Sequence, residues 1–525
     1  MTARRGLVRA CLLAALTFGA GIVAPASRAE EASPPSPVLA EAYRLTDEKQ
    51  LDRAVDVLRA HLDREPSDAE ARSLLARVLS WSRRFDESTV EYERLLSEHP
   101  ERGRDHAGFA RMLTWAGRLE RSLGEFRLAL AADSSDVEAR LDYARAMSWV
   151  GDLPGATMEY RRILFAHPDQ GDAWLGYATV ARWRSGATAS DRFLGRAEAH
   201  GAEQTASAEE RAAVRHALAP RFGGGWSSAQ ERQYLAGPDY TLRSSGPYTD
   251  ARLTIGRAAD LTMRAGWTVQ FERDETGSLA YDLDVRAVRA DLELLRGYPF
   301  QAAAGLESRR FTPGAPGVTY PLLGSGDFTG WNMRSWWFLG RLTPALALRR
   351  DFVPLKSSLP VNQLRLAHQT VVEGTLAWQW SGRGSATSAF EHGSYSDGNG
   401  RMTVRAGSGY RIRIRQPAIS LDYAAAYSDY DTTSASYFTP LASLRHEAGI
   451  AVDGYTQRFG LSYGAGYRLT RIGSANFGPI RSHAWSAHLD AADLGSLGLG
   501  IDALYSRDNN AYEVWSIGIH AAARW

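Results

Sequence analysis

The last fifteen residues, Ala511 to Trp525, read AYEVWSIGIHAAARW. Taken alternately, Trp515, Ile517, Ile519, Ala521, Ala523 and Trp525 form one series, and Tyr512, Val514, Ser516, Gly518, His520, Ala522 and Arg524 the other. In a strand these series point to opposite faces. One face is apolar with an aromatic at each end; the other is mostly small or polar. Similar alternation fills the chain upstream to about residue 220. Apolar-out, polar-in dyads with aromatic girdles are what a barrel wall facing lipid needs.

Working outward, Phe459, Leu461, Tyr463, Ala465, Tyr467 and Leu469 oppose Arg458, Gly460, Ser462, Gly464, Gly466, Arg468 and Thr470. Residues 261–272, 419–427 and 497–505 repeat the pattern. About sixteen such segments fit between 221 and 525, each long enough to cross hydrocarbon as a tilted strand. Residues 281–297 and 361–382 slip phase, which suggests bulges. The gaps near 233–248, 273–280, 312–328, 354–363 and 431–444 are the longer ones, and those near 259, 297, 341, 383 and 414 are tight. Long loops at one end and short turns at the other match an outer-membrane barrel whose termini return to the periplasm.

The polar faces carry Arg264, Arg401, Arg405, Arg411, Arg413, Arg458 and Arg468, with Asp282, Asp284, Asp422, Asp490 and Asp502 of opposite sign. These residues are expected to line the lumen. They fit a water-filled channel, where the arginines of 401–413 favour an anionic or hydroxyl-rich solute. They fit equally a barrel held closed by pairing across its interior.

Before residue 205 the period changes. Residues 35–204 repeat every 34 residues, the tetratricopeptide spacing. Ala42, Ala76, Ala110, Ala144 and Ala178 hold one phase, and the small Ala54, Ser88, Ser122, Ala156 and Ser190 a second. Leu58, Tyr92, Phe126, Tyr160 and Leu194 hold a third. Five units are expected, the last eroded at Gly186-Ala187. Trp81, Trp115, Trp149 and Trp183 also fall 34 apart, with Arg77, Arg111 and Arg145 four residues before the first three. One expectation is a groove in which indoles stack on sugar rings beside guanidinium groups. The other is that the indoles pack between repeats as core.

The N-terminus reads as a signal peptide over 1–29, with Arg4, Arg5 and Arg9, an apolar run from Ala10 to Ala24, and Ser27-Arg28-Ala29. Its removal would take the single cysteine, Cys11. The expected order is therefore signal 1–29, periplasmic repeat array 30–204, linker helix 205–220 opened by a capping box at Ser207-Ala208-Glu209-Glu210, and outer-membrane barrel 221–525. This is an α + β chain of two domains, a helical solenoid and an antiparallel transmembrane barrel. A net charge of +1 argues against a nucleic-acid partner. No phosphate loop, nucleophile elbow or zinc-protease motif is present, and the 12 histidines show no metal spacing. Neither catalysis nor a metal or other cofactor is expected.

The repeats carry Leu79-Ser80-Trp81 and Leu113-Thr114-Trp115-Ala116-Gly117-Arg118, and a hairpin reads Ser396-Asp397-Gly398-Asn399. With these, the layout resembles YaiO-type outer-membrane proteins and is similar to the exopolysaccharide-export porins PgaA and BcsC. The closing strand resembles those of outer-membrane barrels that end on an aromatic, which implies recognition by the barrel-assembly machinery through Trp525. The resemblance further implies contact with outer-membrane lipid and a role in surface polysaccharide. Two functions follow: a conduit whose repeat groove guides a polysaccharide, or a closed anchor whose groove recruits periplasmic proteins.

Overall fold

The computed structural model describes residues 36–233, 240–256, 259–274, 279–294, 299–313, 326–353, 367–414, 416–434, 439–456, 461–494 and 497–524. The signal segment 1–29, Arg458 and Trp525 lie outside the described residues. Two compact units form, one ending at His99 and the other starting at Pro100.

The first unit holds α1 (Pro37–Asp47), α2 (Leu51–Leu62), α3 (Ala69–Trp81) and α4 (Phe85–Glu98). Ser36 opens α1 by accepting from the Leu39 N–H at 3.3 Å, with Pro37 in the first turn, and Asp68 opens α3 through the Ala71 N–H at 2.9 Å. Leu58, Leu74, Leu75 and Leu79 form its core. Ser88 shows why the second phase stays small. Its hydroxyl donates to the Ala76 carbonyl at 2.7 Å across the helix pair, a contact that a larger side chain would hold apart.

The second unit begins with α5 (Gly103–Trp115), α6 (Leu119–Ala132), α7 (Val137–Val150), α8 (Leu153–Ala166), α9 (Gly171–Ser185), α10 (Ala187–Ala199) and α11 (Gln204–Leu218). Ser122 repeats the Ser88 contact, donating to Ala110 O at 2.9 Å. Each of the three repeat phases is fully buried in all five repeats. Tyr160 lies so close to Gly176 that a Cβ there would fall 2.4 Å from its ring. One expectation is corrected. No capping box at Ser207 opens α11, because Glu203 accepts from the Thr205 and Ala206 N–H groups (2.8 and 2.6 Å) and caps the helix four residues earlier, with Ser207 buried inside it.

Sixteen antiparallel strands follow: β1 (Arg221–Gln233), β2 (Tyr240–Ile255), β3 (Ala259–Asp274), β4 (Leu279–Leu294), β5 (Phe300–Pro313), β6 (Asp327–Trp337), β7 (Leu342–Phe352) and β8 (His368–Gln379). The second half comprises β9 (Gly384–Tyr395), β10 (Gly400–Arg413), β11 (Ala418–Tyr430), β12 (Ser443–Thr456), β13 (Leu461–Gly473), β14 (Ile480–Leu494), β15 (Leu497–Asp508) and β16 (Glu513–Arg524). Each pairs with its neighbours in sequence, and β1 closes on β16 from Arg221↔Arg524 to Arg232↔Glu513. Closure removes every free edge. The near rim carries the start of β1 and the end of β16. Its connections are short, while those of the far rim include 314–326, 353–367 and 431–442.

Outward series expose Trp226, Met263, Trp267, Leu346, Leu376, Ile450, Leu489, Ile517 and Ile519. Aromatics bracket this surface. Phe222, Trp378 and Tyr410 stand toward the near rim, and Tyr467, Trp485, Tyr505 and Trp515 toward the far one. Among the described residues, no helix is long and apolar enough to cross a membrane.

Several loop and phase expectations are revised. The first far-rim gap is 234–239 rather than 233–248, since β2 runs through Gly246-Pro247. Its ladder with β3 skips those two residues, where Gly246 abuts the Trp267 carbonyl and Pro247 has no N–H to give. In 361–382 no phase slip occurs within β8, whose registers with β7 and β9 are unbroken; residues 361–366 lie outside the described ones. Register shifts instead occur at Glu272/Arg273, Arg411/Arg413 and Ala491/Leu494. Asp284 shares the parity of the outward Val288 and so leaves the inner wall.

Candidate groove, barrel rim and inner wall

Each tryptophan of the 34-residue series lies in the last turn of the first helix of its repeat. In the first unit, Trp81 is 44 % exposed, and Arg77 Nη2 lies 3.1 Å from the Tyr43 hydroxyl. In the second, Trp115, Trp149 and Trp183 are 56, 52 and 45 % exposed. A core indole would be covered; these offer a face to solvent.

The arginines beside them are tied to carboxylates that the sequence pattern did not single out. Arg111 Nε meets Asp142 at 2.5 Å, Asp142 meets Arg145 at 3.3 Å, and Arg145 reaches Asp172 at 3.3 Å. Arg182 grips Glu210 of α11 with two bonds, 2.7 and 2.9 Å, and Thr179 and Ser190 donate to the same carboxylate. Trp149, Trp183, Arg145, Asp172 and Glu210 line one hollow of about 700 Å³ between α7, α9 and α11. Its two arginines, Arg145 and Arg182, are held by Asp172 and Glu210, and Glu209 also lines it, so the hollow presents two indoles beside paired charges and one further carboxylate.

The helix ends that carry these indoles touch the near rim. Gly151, left-handed at φ +87°, caps α7, and its carbonyl accepts from Gln379 Nε2 at 2.7 Å. Asp152, which also caps α8 through the Gly155 N–H, receives a two-pronged bond from Arg341 at 2.9 and 2.6 Å. Such a fork fixes orientation as well as distance. Arg383 pairs with Glu120, and Arg184 Nη2 donates to Gly340 O at 2.7 Å while lying 4.8 Å over the Phe338 ring. Burial pushes the Arg184 guanidinium below its ordinary range, with Tyr177 opposing the shift. Gly382 sits against Val150, where a Cβ would come 2.6 Å from the Val150 carbonyl oxygen. From sequence, 341 and 383 were legible only as tight turns.

Inside the barrel, Arg264 lies 4.0 Å over the Tyr248 ring. Arg401 pairs with Glu391 and reaches Tyr430. Arg405 is exposed on the inner series of β10, and Arg411 stands at the rim beside Gly151. Arg468 binds Asp422 at 3.1 Å and Glu447 at 3.7 Å. Arg413 departs from the expectation. The register shift after Arg411 sets it opposite Ile419, in series with the outward Leu421 and Tyr423. Arg349, which the sequence analysis passed over, joins Asp351, Glu373 and Glu391 at 2.6–2.9 Å. His520 meets Asp490 at 3.0 Å. Arg468 and Asp422 pair yet keep 49 and 40 % of their side-chain surface, so the wall here is wet among the described residues.

One group has metal-ligand composition, His61, Glu65 and Asp68, with ligand atoms within 4.8 Å of one another. Its bonds serve the fold: Asp68 Oδ1 caps α3, and Oδ2 holds His61 at 2.8 Å.

The sequence profile of the tetratricopeptide repeat matches residues 45–113. No curated protein sequence matches the chain. Among solved structures, one described as a bacterial polysaccharide outer membrane secretin aligns with 57 % of this chain and 98 % of its own, at 13 % identity and a TM-score of 0.41. A tetratricopeptide repeat protein from Parabacteroides merdae aligns with 34 % of this chain and 71 % of its own, at 19 % identity and a TM-score of 0.32. YrrB, a tetratricopeptide protein with an unusual peptide-binding site, aligns with 34 % and 92 % at 18 % identity and a TM-score of 0.29. The chain is a tetratricopeptide-type helical region followed by a closed antiparallel barrel of sixteen strands.

Proposed function

We propose that the protein resides in the outer membrane of a Gram-negative bacterium, with its repeats in the periplasm, and takes part in export or surface assembly of an exopolysaccharide. The barrel is the conduit and the groove its guide; no catalytic step is assigned. The observation that carries this reading is the continuity from the exposed indoles of Trp149 and Trp183, through helix ends bonded to the rim, to the wet charged wall at Arg411 and Arg405. Indole faces suit pyranose rings, and hydrogen-bonding groups of both signs along the path suit a hydroxyl-rich polymer that must bind weakly and move on.

The test is deletion followed by complementation. Loss of the protein is expected to abolish secreted or capsular polysaccharide. A chain with Trp115, Trp149 and Trp183 replaced by Ala is expected to restore barrel levels but not secretion. Unchanged polymer in the deletion strain overturns the reading. The alternative, a closed anchor that recruits periplasmic proteins, is separated by single-channel conductance of the purified chain: the conduit opens stably and the anchor does not.

A further inference from the structure

The outer face of β12–β15 at the far rim holds a basic patch that nothing in the conduit uses. Strand register sets His446 opposite Arg471, and Arg471 opposite Arg481. One row toward the middle of the barrel, His483 is opposite Arg507. Arg471 shares the series of the exposed Leu469, and Arg481 and His483 that of the exposed Trp485, so all project outward. Like charges directly opposite on one face of a ladder repel. Among the described residues, neither Arg471 nor Arg481 has a carboxylate partner, while Glu513 of the same face is taken by Arg507 at 3.4 Å. A pair of exposed guanidinium groups therefore stands side by side with its counter-charge missing.

The depth of the patch says what supplies it. A further row inward, Tyr467, Trp485, Tyr505 and Trp515 are consecutive register partners across four strands, with ring centroids 5.4 Å apart for Tyr467–Trp485 and 5.7 Å for Trp485–Tyr505. A continuous row of amphipathic rings marks the boundary between hydrocarbon and headgroups. Tyr467 hydroxyl to His483 Nδ1, at 2.5 Å, ties that row to the basic one. Groups just beyond it meet lipid headgroups at phosphate level. A guanidinium fork matches phosphate oxygens bidentately, and two of them stand on neighbouring strands here.

We infer that Arg471 and Arg481, with His446 and His483 flanking them, form a binding site for the phosphate of an anionic lipid headgroup in the outer leaflet. This rests on the outer-membrane reading above, since the far rim faces that leaflet only if the repeats are periplasmic. The bound phosphate relieves the Arg471–Arg481 repulsion and orders β13 and β14 where they meet the surface. The aromatic row seats the acyl chains below.

The test uses the full chain reconstituted in vesicles, with bis-phosphorylated lipid A as probe and its dephosphorylated form as control. Wild type is expected to retain lipid A about tenfold more tightly than the control lipid. The double variant Arg471→Gln, Arg481→Gln is expected to lose that preference while inserting normally, and Arg471→Lys, Arg481→Lys to keep part of it. Inorganic phosphate at the lipid's concentration should not compete. Equal lipid A retention by inserted wild type and double glutamine variant overturns the site, and displacement by inorganic phosphate overturns its assignment to a lipid. A wild type that does not insert overturns the outer-membrane reading and takes this proposal with it.

Discussion

The repeat helices and the barrel strands hide opposite things. In the helices, Leu58, Tyr92, Phe126, Tyr160 and Leu194 are buried, and charged pairs such as Arg94–Glu98 stand outside. In the strands, Ile517, Ile519, Leu489 and Trp485 are outside, and Asp422, Arg468, Asp490 and His520 are inside. Both halves obey the same hydrophobic driving force. What differs is where water is, and on the outer-membrane reading proposed above the second solvent is lipid. A helix pair buries its apolar stripe against its neighbour, whereas a closed sheet that exposes its apolar face requires lipid to cover it. The seam where the two regimes meet is held by the polar bonds Asp152–Arg341 and Gln379–Gly151, with Val150 packed closely against Gly382 beside them.

The largest effect is expected at that seam. Asp152→Ala strands the Arg341 guanidinium and removes the α8 cap, and should cost about 3–5 kcal/mol of helix-to-barrel attachment. Limited proteolysis should then release the repeats from an intact barrel; unchanged protection breaks the picture of a bonded seam. Next comes the inversion itself. Ile517→Arg, placed on the outer series, should cost about 2–4 kcal/mol of insertion, while Ser516→Arg on the inner series is tolerated. Folding into vesicles, read by heat-modifiable gel mobility, separates the two, and equal loss for both would refute the facing.

A smaller effect lies in the helices. Burial raises the Asp68 carboxyl, but the Ala71 N–H, His61 and the Glu70 N–H together outweigh it and leave its pKa below the ordinary value. A depressed carboxylate stabilises the fold above its unfolded pKa, near ~3.9, and loses that contribution as pH falls through the folded value. Asp68→Ala should cost about 1 kcal/mol at pH 7, and less once acid has already protonated the wild type. Thermal melts of the helical signal at neutral and acid pH would show the gap narrowing; a constant gap would assign the effect to packing alone.

The fold was legible because period is a local property. The 34-residue spacing of Ala76 and Ala110, and the alternation of Trp515, Ile517 and Ile519, can be read without knowing any partner. Arg413 was misplaced because a single register shift flips a side chain to the other face, and nothing in Arg411-Ile412-Arg413 announces the shift. Glu203 was missed as a cap because Ser207 offers the commoner signature. Groove tryptophans could be listed from spacing, whereas Asp142, Asp172 and Glu210 could not, since pairing depends on how successive helices stack. The Arg471–Arg481 juxtaposition needed strand register, which a sequence lacks until its turns are fixed.

The central claim is that lipid covers one face of the strands and water the other. Single cysteines placed successively from Gly466 to Arg471 on β13, in a chain whose only native cysteine, Cys11, is replaced by Ser, can carry spin labels in vesicles. The account predicts that collision with oxygen, which concentrates in lipid, peaks at Tyr467 and Leu469, and collision with a water-soluble nickel chelate at Gly466, Arg468 and Thr470. A smooth profile, with both reagents reaching neighbouring positions equally, would contradict it.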